Sequence, residues 1–145
     1  MDANYRRETS AGYLTNWAAR LLTRSLERRM NGGNAGYMPV FFELIDGKPA
    51  SQAELARWAA VEQPTMANTL ARMERDGLIA RTPDPEDKRS AVISLTPLGL
   101  DKARSALKAA TETNGLAMGA LKASERAVFV DMLKRMIKTL EADRG

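Results

Sequence analysis

The chain has 145 residues, with neither cysteine nor histidine, 22 basic against 18 acidic side chains and a formal net charge of +4. That composition excludes a disulfide framework, a thiolate nucleophile, a cysteine or histidine metal site and a histidine proton relay. Carboxylate, lysine or tyrosine chemistry stays open but nothing advertises it, and no metal, no cofactor and no catalytic residue is expected. The length suits one compact domain, which buries ~70% of its unfolded surface without staples.

The N-terminal stretch MDANYRRETSAGYLTNWAARLL lacks the continuous apolar run of a secretory signal, and no run is long enough to cross a bilayer. A cytoplasmic protein with no membrane partner is expected. From Ser10 to Met30, Leu14, Trp17, Ala18, Leu21, Leu22 and Leu26 recur at helical spacing and predict a long amphipathic helix. The run NGGNAG at 31–36 ends it with residues that tolerate positive φ. Pro39 suits the first turn of a short helix through Phe41, Phe42, Leu44 and Ile45, closed by Asp46 and Gly47.

Ser51 with Glu54 three residues on predicts a capping box and a helix from Gln52 to about Ala59. Pro64 then opens another helix, Thr65 to Asp76, which Gly77 stops. The β-like runs 78–81 and 91–95 flank a charged, proline-containing loop. Thr96 and Pro97 restart helix as N-cap and first residue, towards Asn114 and Gly115 or somewhat beyond. A last helix from Ser124 places Phe129, Met132, Leu133, Met136, Ile137 and Leu140 along one apolar seam. That seam is too long for a small domain to cover alone and predicts self-association.

Helix, helix, tight turn, helix and two-stranded ribbon is the order of a winged helix-turn-helix, and the fold class is mainly α (α+β). In the helix from Pro64, Met66, Leu70 and Met73 fall on one side, and Thr65, Asn68, Thr69 and Arg72 on the other. Arginine suits guanine, asparagine suits adenine, and threonine suits either or a thymine methyl. Charge alone does not mark this segment, because residues 51–96 carry six basic and seven acidic side chains. Its pattern points to double-stranded DNA. Arg57, Arg75 and Arg81 are candidate phosphate contacts or solvent-facing side chains, and the stripe Arg20, Arg24, Arg28 reads as a solvated helix face.

Residues 37–99 resemble the MarR family of bacterial transcription regulators. The resemblance rests on SQAELA (51–56), VEQPTM (61–66), LARMERDGLI (70–79), DKR (87–89) and LTPLG (95–99). The flanking helices match in placement and length. It implies a symmetric dimer on a pseudo-palindromic operator, usually repressing and released by a small aromatic or other ligand. The helix with Thr65, Asn68, Thr69 and Arg72 would enter the major groove. Arg89 would enter the adjacent minor groove, with Asp87 in the acidic position that steadies it. The DNA-facing set is thus Gln63, Thr65, Asn68, Thr69, Arg72, Asp87, Lys88 and Arg89. Tyr13, Trp17, Tyr37, Met38 and Phe41 are candidates to line a ligand cleft.

The organisation expected is a dimerisation helix region at 1–36, a winged helix-turn-helix DNA-binding domain at 37–96 and dimerisation helices at 97–145, all in one compact unit. Two alternatives carry their own signatures. A winged-helix protein–protein interaction module would bind no duplex, and an enzyme would turn over a small molecule without DNA.

Overall fold

The computed structural model describes residues 4–143. After a 3-10 turn at Arg7–Thr9, helix α1 spans Ala11–Arg29, started by Ser10, whose hydroxyl accepts from the Tyr13 N–H at 3.1 Å. Asn31 and Gly32, at φ 50° and 85°, turn the chain out of it. A 3-10 turn at Ala35–Tyr37 then leads into α2, Met38–Leu44, one residue ahead of the Pro39 start expected from the sequence. That extra turn is pinned from α1, because Glu27 Oε1 accepts from the Ala35 N–H at 3.1 Å.

Helix α3 spans Gln52–Ala59 and α4 spans Gln63–Arg75. Ser51 caps α3 by accepting from the Glu54 N–H at 3.2 Å. The Glu54 carboxylate accepts from the Ser51 hydroxyl, also at 3.2 Å, instead of reaching back to the Ser51 N–H as the expected capping box would. Between the helices Ala60 lies in the left-handed region at φ 55°, which turns α4 across α3 within a few residues. Strand β1, Ile79–Pro83, pairs antiparallel with β2, Ala91–Leu95, Arg81 opposite Ile93. Ala50 adds a bridge to Ile93 on the other edge of β2, with bonds of 3.0 and 2.7 Å.

Helix α5 spans Pro97–Met118 and α6 spans Ala123–Ala142. Helix α5 runs through Gly115, which faces open space and needs no special conformation. The core is one cluster drawn from α2 to α5 and the ribbon, centred on Val40, Leu44, Leu55, Met66, Leu70, Met73 and Ile93. Ala103 and Ala106 on α5 are small enough for α1 and α2 to lie close against that helix. By contrast α6 buries none of its residues, and Phe129, Met132, Ile137 and Leu140 stay exposed. Among the described residues no helix is long and apolar enough to cross a membrane.

Four backbone segments meet where α4 gives way to the ribbon. Gly77, at φ 75°, turns the chain so that the Leu78 N–H donates to the Met73 carbonyl at 2.8 Å and closes α4. The Thr96 hydroxyl donates to the Gly77 carbonyl at 2.6 Å and accepts from the Gly99 N–H at 3.0 Å, so one side chain caps α5 and ties it to the end of α4. The Leu78 carbonyl accepts from the Thr96 N–H at 3.0 Å and lies where a Cβ on Gly99 would stand. The LTPLG run is therefore a joint. Gly99→Ala must push a backbone carbonyl aside, and overpacking of this kind costs ~1–3 kcal/mol. Denaturant unfolding should give a loss at least that large, and a variant within ~0.5 kcal/mol of the parent would contradict the contact.

Candidate nucleic-acid interface

Helix α4 is amphipathic in a way that leaves no choice of face. Met66, Leu70 and Met73 are at most 1% exposed, so the residues offset from them around the helix must look outward. Gln63, Thr65, Asn68 and Arg72 are exposed on that outer side and Thr69 is half-buried. Two of these side chains are already held by the fold. The Thr69 hydroxyl donates to the Thr65 carbonyl at 3.1 Å, and Gln52 on α3 donates to Gln63 Oε1 at 3.2 Å. The second bond links α3 to the first turn of α4.

The tip between the strands is folded on itself. The Asp84 N–H donates to the Ser90 carbonyl at 3.0 Å, and Asp84 Oδ1 accepts from the Glu86 N–H at 2.9 Å, so Asp84 and Ser90 close the loop as an extension of the ribbon. Asp87 Oδ1 accepts from the Arg89 N–H at 3.1 Å and from Arg89 Nε at 3.3 Å. Arg89 therefore stands out from the tip, its side chain 94% exposed, with its base held by a carboxylate two residues back. Lys88 is exposed beside it.

The ribbon is also clamped to α4. Arg81 Nε lies 3.3 Å from Glu74 Oε2, and Arg75 Nε lies 3.3 Å from Asp76 Oδ1, so both arginines have acidic partners within the chain. Arg57 instead lies over its neighbour Trp58, 5.9 Å from the ring centroid. The backbone joint at Gly77 and Gly99 holds α4 and the ribbon as one body, and the part-exposed Arg81–Glu74 pair spans the same two elements.

A cavity of about 420 Å³ opens behind that body. Its walls are the end of α1 with the glycine-rich turn, the aromatic rings of Tyr37 and Phe41, the end of α4 at Asp76, and α5 at Leu98, Lys102 and Ser105. Two of the five cleft candidates line it, Tyr37 and Phe41, their rings edge to face at 6.2 Å. Met38 points into the core at 6% exposure. Tyr13 and Trp17 sit on the N-terminal half of α1, edge to face with each other at 6.2 Å, whereas the cavity takes Arg29 and Met30 from the other end of that helix. Helical spacing brings Tyr13 and Trp17 together but cannot carry them to the far end of the same helix.

Arg29 is oriented before anything binds. Its guanidinium donates to the Ser25 hydroxyl at 2.7 Å and the Ser25 carbonyl at 3.1 Å, with Glu112 at 3.9 Å. Across the cavity the Tyr37 hydroxyl donates to Asp76 Oδ2 at 3.4 Å. Burial, then the neighbouring Asp76 carboxylate, push the Tyr37 phenol above its ordinary 10.0.

The MarR family model matches residues 42–91, from α2 to the start of β2. The transcriptional repressor NicR of Pseudomonas putida is 35% identical over 98 residues, 68% of this chain and 62% of NicR, so the chain spans less than two thirds of that relative. The transcriptional regulator HosA of Escherichia coli O157:H7 is 33% identical over 96 residues, 66% of this chain and 71% of HosA.

The chain belongs to the MarR family.

Solved structures agree in fold. A probable transcriptional regulator from Pseudomonas aeruginosa superposes with a TM-score of 0.83 at 26% identity, covering 90% of this chain and 99% of that one. BpsR of Bordetella bronchiseptica, described with 6-hydroxynicotinic acid as regulator of its DNA binding, gives 0.83 at 23%, over 92% and 97%. CouR bound to a 23-mer DNA duplex gives 0.80 at 24%, over 90% and 94%.

In this MarR-family chain the residues that sequence reading missed are long-range partners. Asp76, Arg29 and Lys102 come to one cavity from α4, α1 and α5, and nothing in their local spacing announces it. The Tyr37–Asp76 contact has a direct consequence for titration. The fold holds the neutral phenol more tightly than the unfolded chain does, so that stabilisation is complete below pH about 10 and falls as pH rises through the Tyr37 transition. Ultraviolet titration of the parent against Tyr37→Phe should place this phenol above 10.0. Asp76→Asn should bring it down, though not to the ordinary value, because burial remains. A Tyr37 transition unmoved by Asp76→Asn would contradict the contact.

Proposed function

We propose that this chain is a DNA-binding transcriptional repressor that acts as a homodimer and leaves its operator when a small aromatic carboxylate fills the cavity. The observation that carries the reading is the pairing of two exposed features on one rigid body: the outward face of α4 with Asn68 and Arg72, and the tip with Arg89 held by Asp87. Helix α4 fits a major groove, where Arg72 and Asn68 suit guanine and adenine edges. Arg89 then reaches the flanking minor groove, whose negative potential is strongest where A·T tracts narrow it. NicR carries the name of a repressor, and CouR binds duplex DNA.

A second copy of the chain is the partner that the outer helices suit. Leu14, Trp17 and Leu21 on α1 and Phe129, Ile137 and Leu140 on α6 are all exposed in the single chain. Burying such surface contributes ~25 cal/mol per Å². Pairing would also set two reading helices one DNA turn apart, ~34 Å. As for the effector, the cavity offers aromatic walls in Tyr37 and Phe41 and two cations in Arg29 and Lys102, which suits a planar ring bearing a carboxylate. BpsR answers to a molecule of that class, 6-hydroxynicotinic acid.

Selection from random duplexes tests the reading. The expected result is enrichment of an inverted repeat bound in a salt-dependent way, by a particle that light scattering sizes at twice 15.9 kDa. No enrichment, with binding to no duplex at any salt concentration, would instead indicate a protein–protein module.

The tip gives a sharper test. Arg89→Ala should cut affinity and lower the salt slope by about one. Asp87→Ala should also weaken binding, although it removes a negative charge beside DNA, because a free guanidinium loses more rotamer freedom on entering the groove. The double variant should lose less than the sum, since both changes break the same pair. Tighter binding by Asp87→Ala would mean that repulsion dominates and the carboxylate does no positioning.

A further inference from the structure

We propose that Tyr37 is the residue through which an occupied cavity acts on the DNA-reading body, by turning its single hydroxyl hydrogen bond from Asp76 to the bound carboxylate. The inference rests on the reading of the cavity as a site for a small aromatic carboxylate.

Three observations converge on this residue. First, Tyr37 belongs to both sides of the connection: its ring lines the cavity, and its hydroxyl reaches Asp76 Oδ2 at 3.4 Å. Among the described residues this is the one side-chain hydrogen bond from the α1–α2 connection to α4. Second, Asp76 is the C-cap of α4, its N–H donating to the Arg72 carbonyl at 3.0 Å, and it is followed by the Gly77 turn into β1. A displacement there is shared by α4 and the wing, because Glu74 and Arg81 tie the last turn of the helix to the strand. Third, the bond is long. Hydroxyl–oxygen bonds are commonly ~2.7–2.8 Å, so an acceptor at ordinary distance outcompetes one at 3.4 Å.

A phenol has one proton to donate. A carboxylate drawn in by Arg29, which Ser25 already orients, and by Lys102 offers Tyr37 a charged acceptor inside the cavity. Once Tyr37 donates to it, Asp76 keeps only Arg75 as partner and faces a second negative charge. Both effects push the end of α4 away from the α1–α2 connection. Proton count is unchanged: one O–H···O bond is exchanged for another, with no bond broken covalently. Bound and free states then differ in where α4 sits, which is the differential interaction that a ligand needs to shift an equilibrium.

The magnitude follows from the bond. A hydrogen bond to a charged group at the weak end of its range corresponds to about a tenfold change in an equilibrium constant. The experiment measures the operator Kd of the parent chain and Tyr37→Phe on the selected duplex, with and without saturating 6-hydroxynicotinate. Calorimetry on the DNA-free proteins gives ligand affinity separately. The expected result is that ligand raises the parent Kd about tenfold and that of Tyr37→Phe less than about twofold, while the variant still binds 6-hydroxynicotinate.

An equal response in Tyr37→Phe overturns the inference and leaves the ligand reading standing. A parent that binds the ligand but keeps its operator Kd, or that does not bind it, overturns the ligand reading and the inference with it. Should Tyr37→Phe lose the ligand altogether, Asp76→Ala decides, since it removes the acceptor and leaves the phenol in the cavity. A lost response there supports the coupling, and a full response overturns it.

Discussion

Everything proposed for this chain depends on how α4 is anchored. Met66, Leu70 and Met73 are sealed in the core, one helical turn after another, and that seal determines which side chains face out. A helix anchored by three long apolar side chains cannot roll without exposing them, and each fully buried side chain of this kind is worth ~1.5–3 kcal/mol. Methionine is flexible, but Met66 and Met73 are fully buried in the same core cluster as Leu55, Leu78 and Ile93, which limits their freedom. The orientation of Asn68 and Arg72 thus rests on core packing, well away from the surface they serve.

The second constraint is the joint at the C-terminal end of that helix. Gly77 supplies the turn, Thr96 bonds across it, and Gly99 leaves room for the Leu78 carbonyl. Because β1 leaves this joint directly, the wing inherits the orientation of α4, and the Arg81–Glu74 pair reinforces it. The cavity abuts the same joint through Asp76, Leu78 and Leu98. A site placed there abuts the body formed by α4 and the wing, whereas α6 buries none of its residues in the single chain.

Much of this was legible in the sequence. The caps Ser51 and Thr96, the prolines at 39, 64 and 97 and the glycine at 77 marked nearly every boundary to within two residues, because their signals are local. The inward set of α4 followed from periodicity alone. Other features were hidden because they arise between elements distant in sequence. The 3-10 turn at Ala35–Tyr37 is held by Glu27, eight residues back. Tyr37 and Asp76 are 39 residues apart. Strand β1 extends to Pro83 instead of ending at Arg81, since pairing with β2 carries it past the run of apolar residues. Of the cleft candidates, Tyr37 and Phe41 line the cavity at the C-terminal end of α1, and Tyr13 and Trp17 lie in its N-terminal half.

Charge sets the remaining question. The segment 51–96 carries six basic and seven acidic residues, so on the proposed reading attraction to phosphate would be local and discrimination would come from side chains such as Arg72. The most direct measurement compares parent and Arg72→Ala on the selected operator and on a random duplex at one salt concentration. If the outward face of α4 reads bases, the operator affinity falls by ~1–3 kcal/mol and the random-duplex affinity by much less. Equal losses on both duplexes would contradict that account and reduce Arg72 to a phosphate contact.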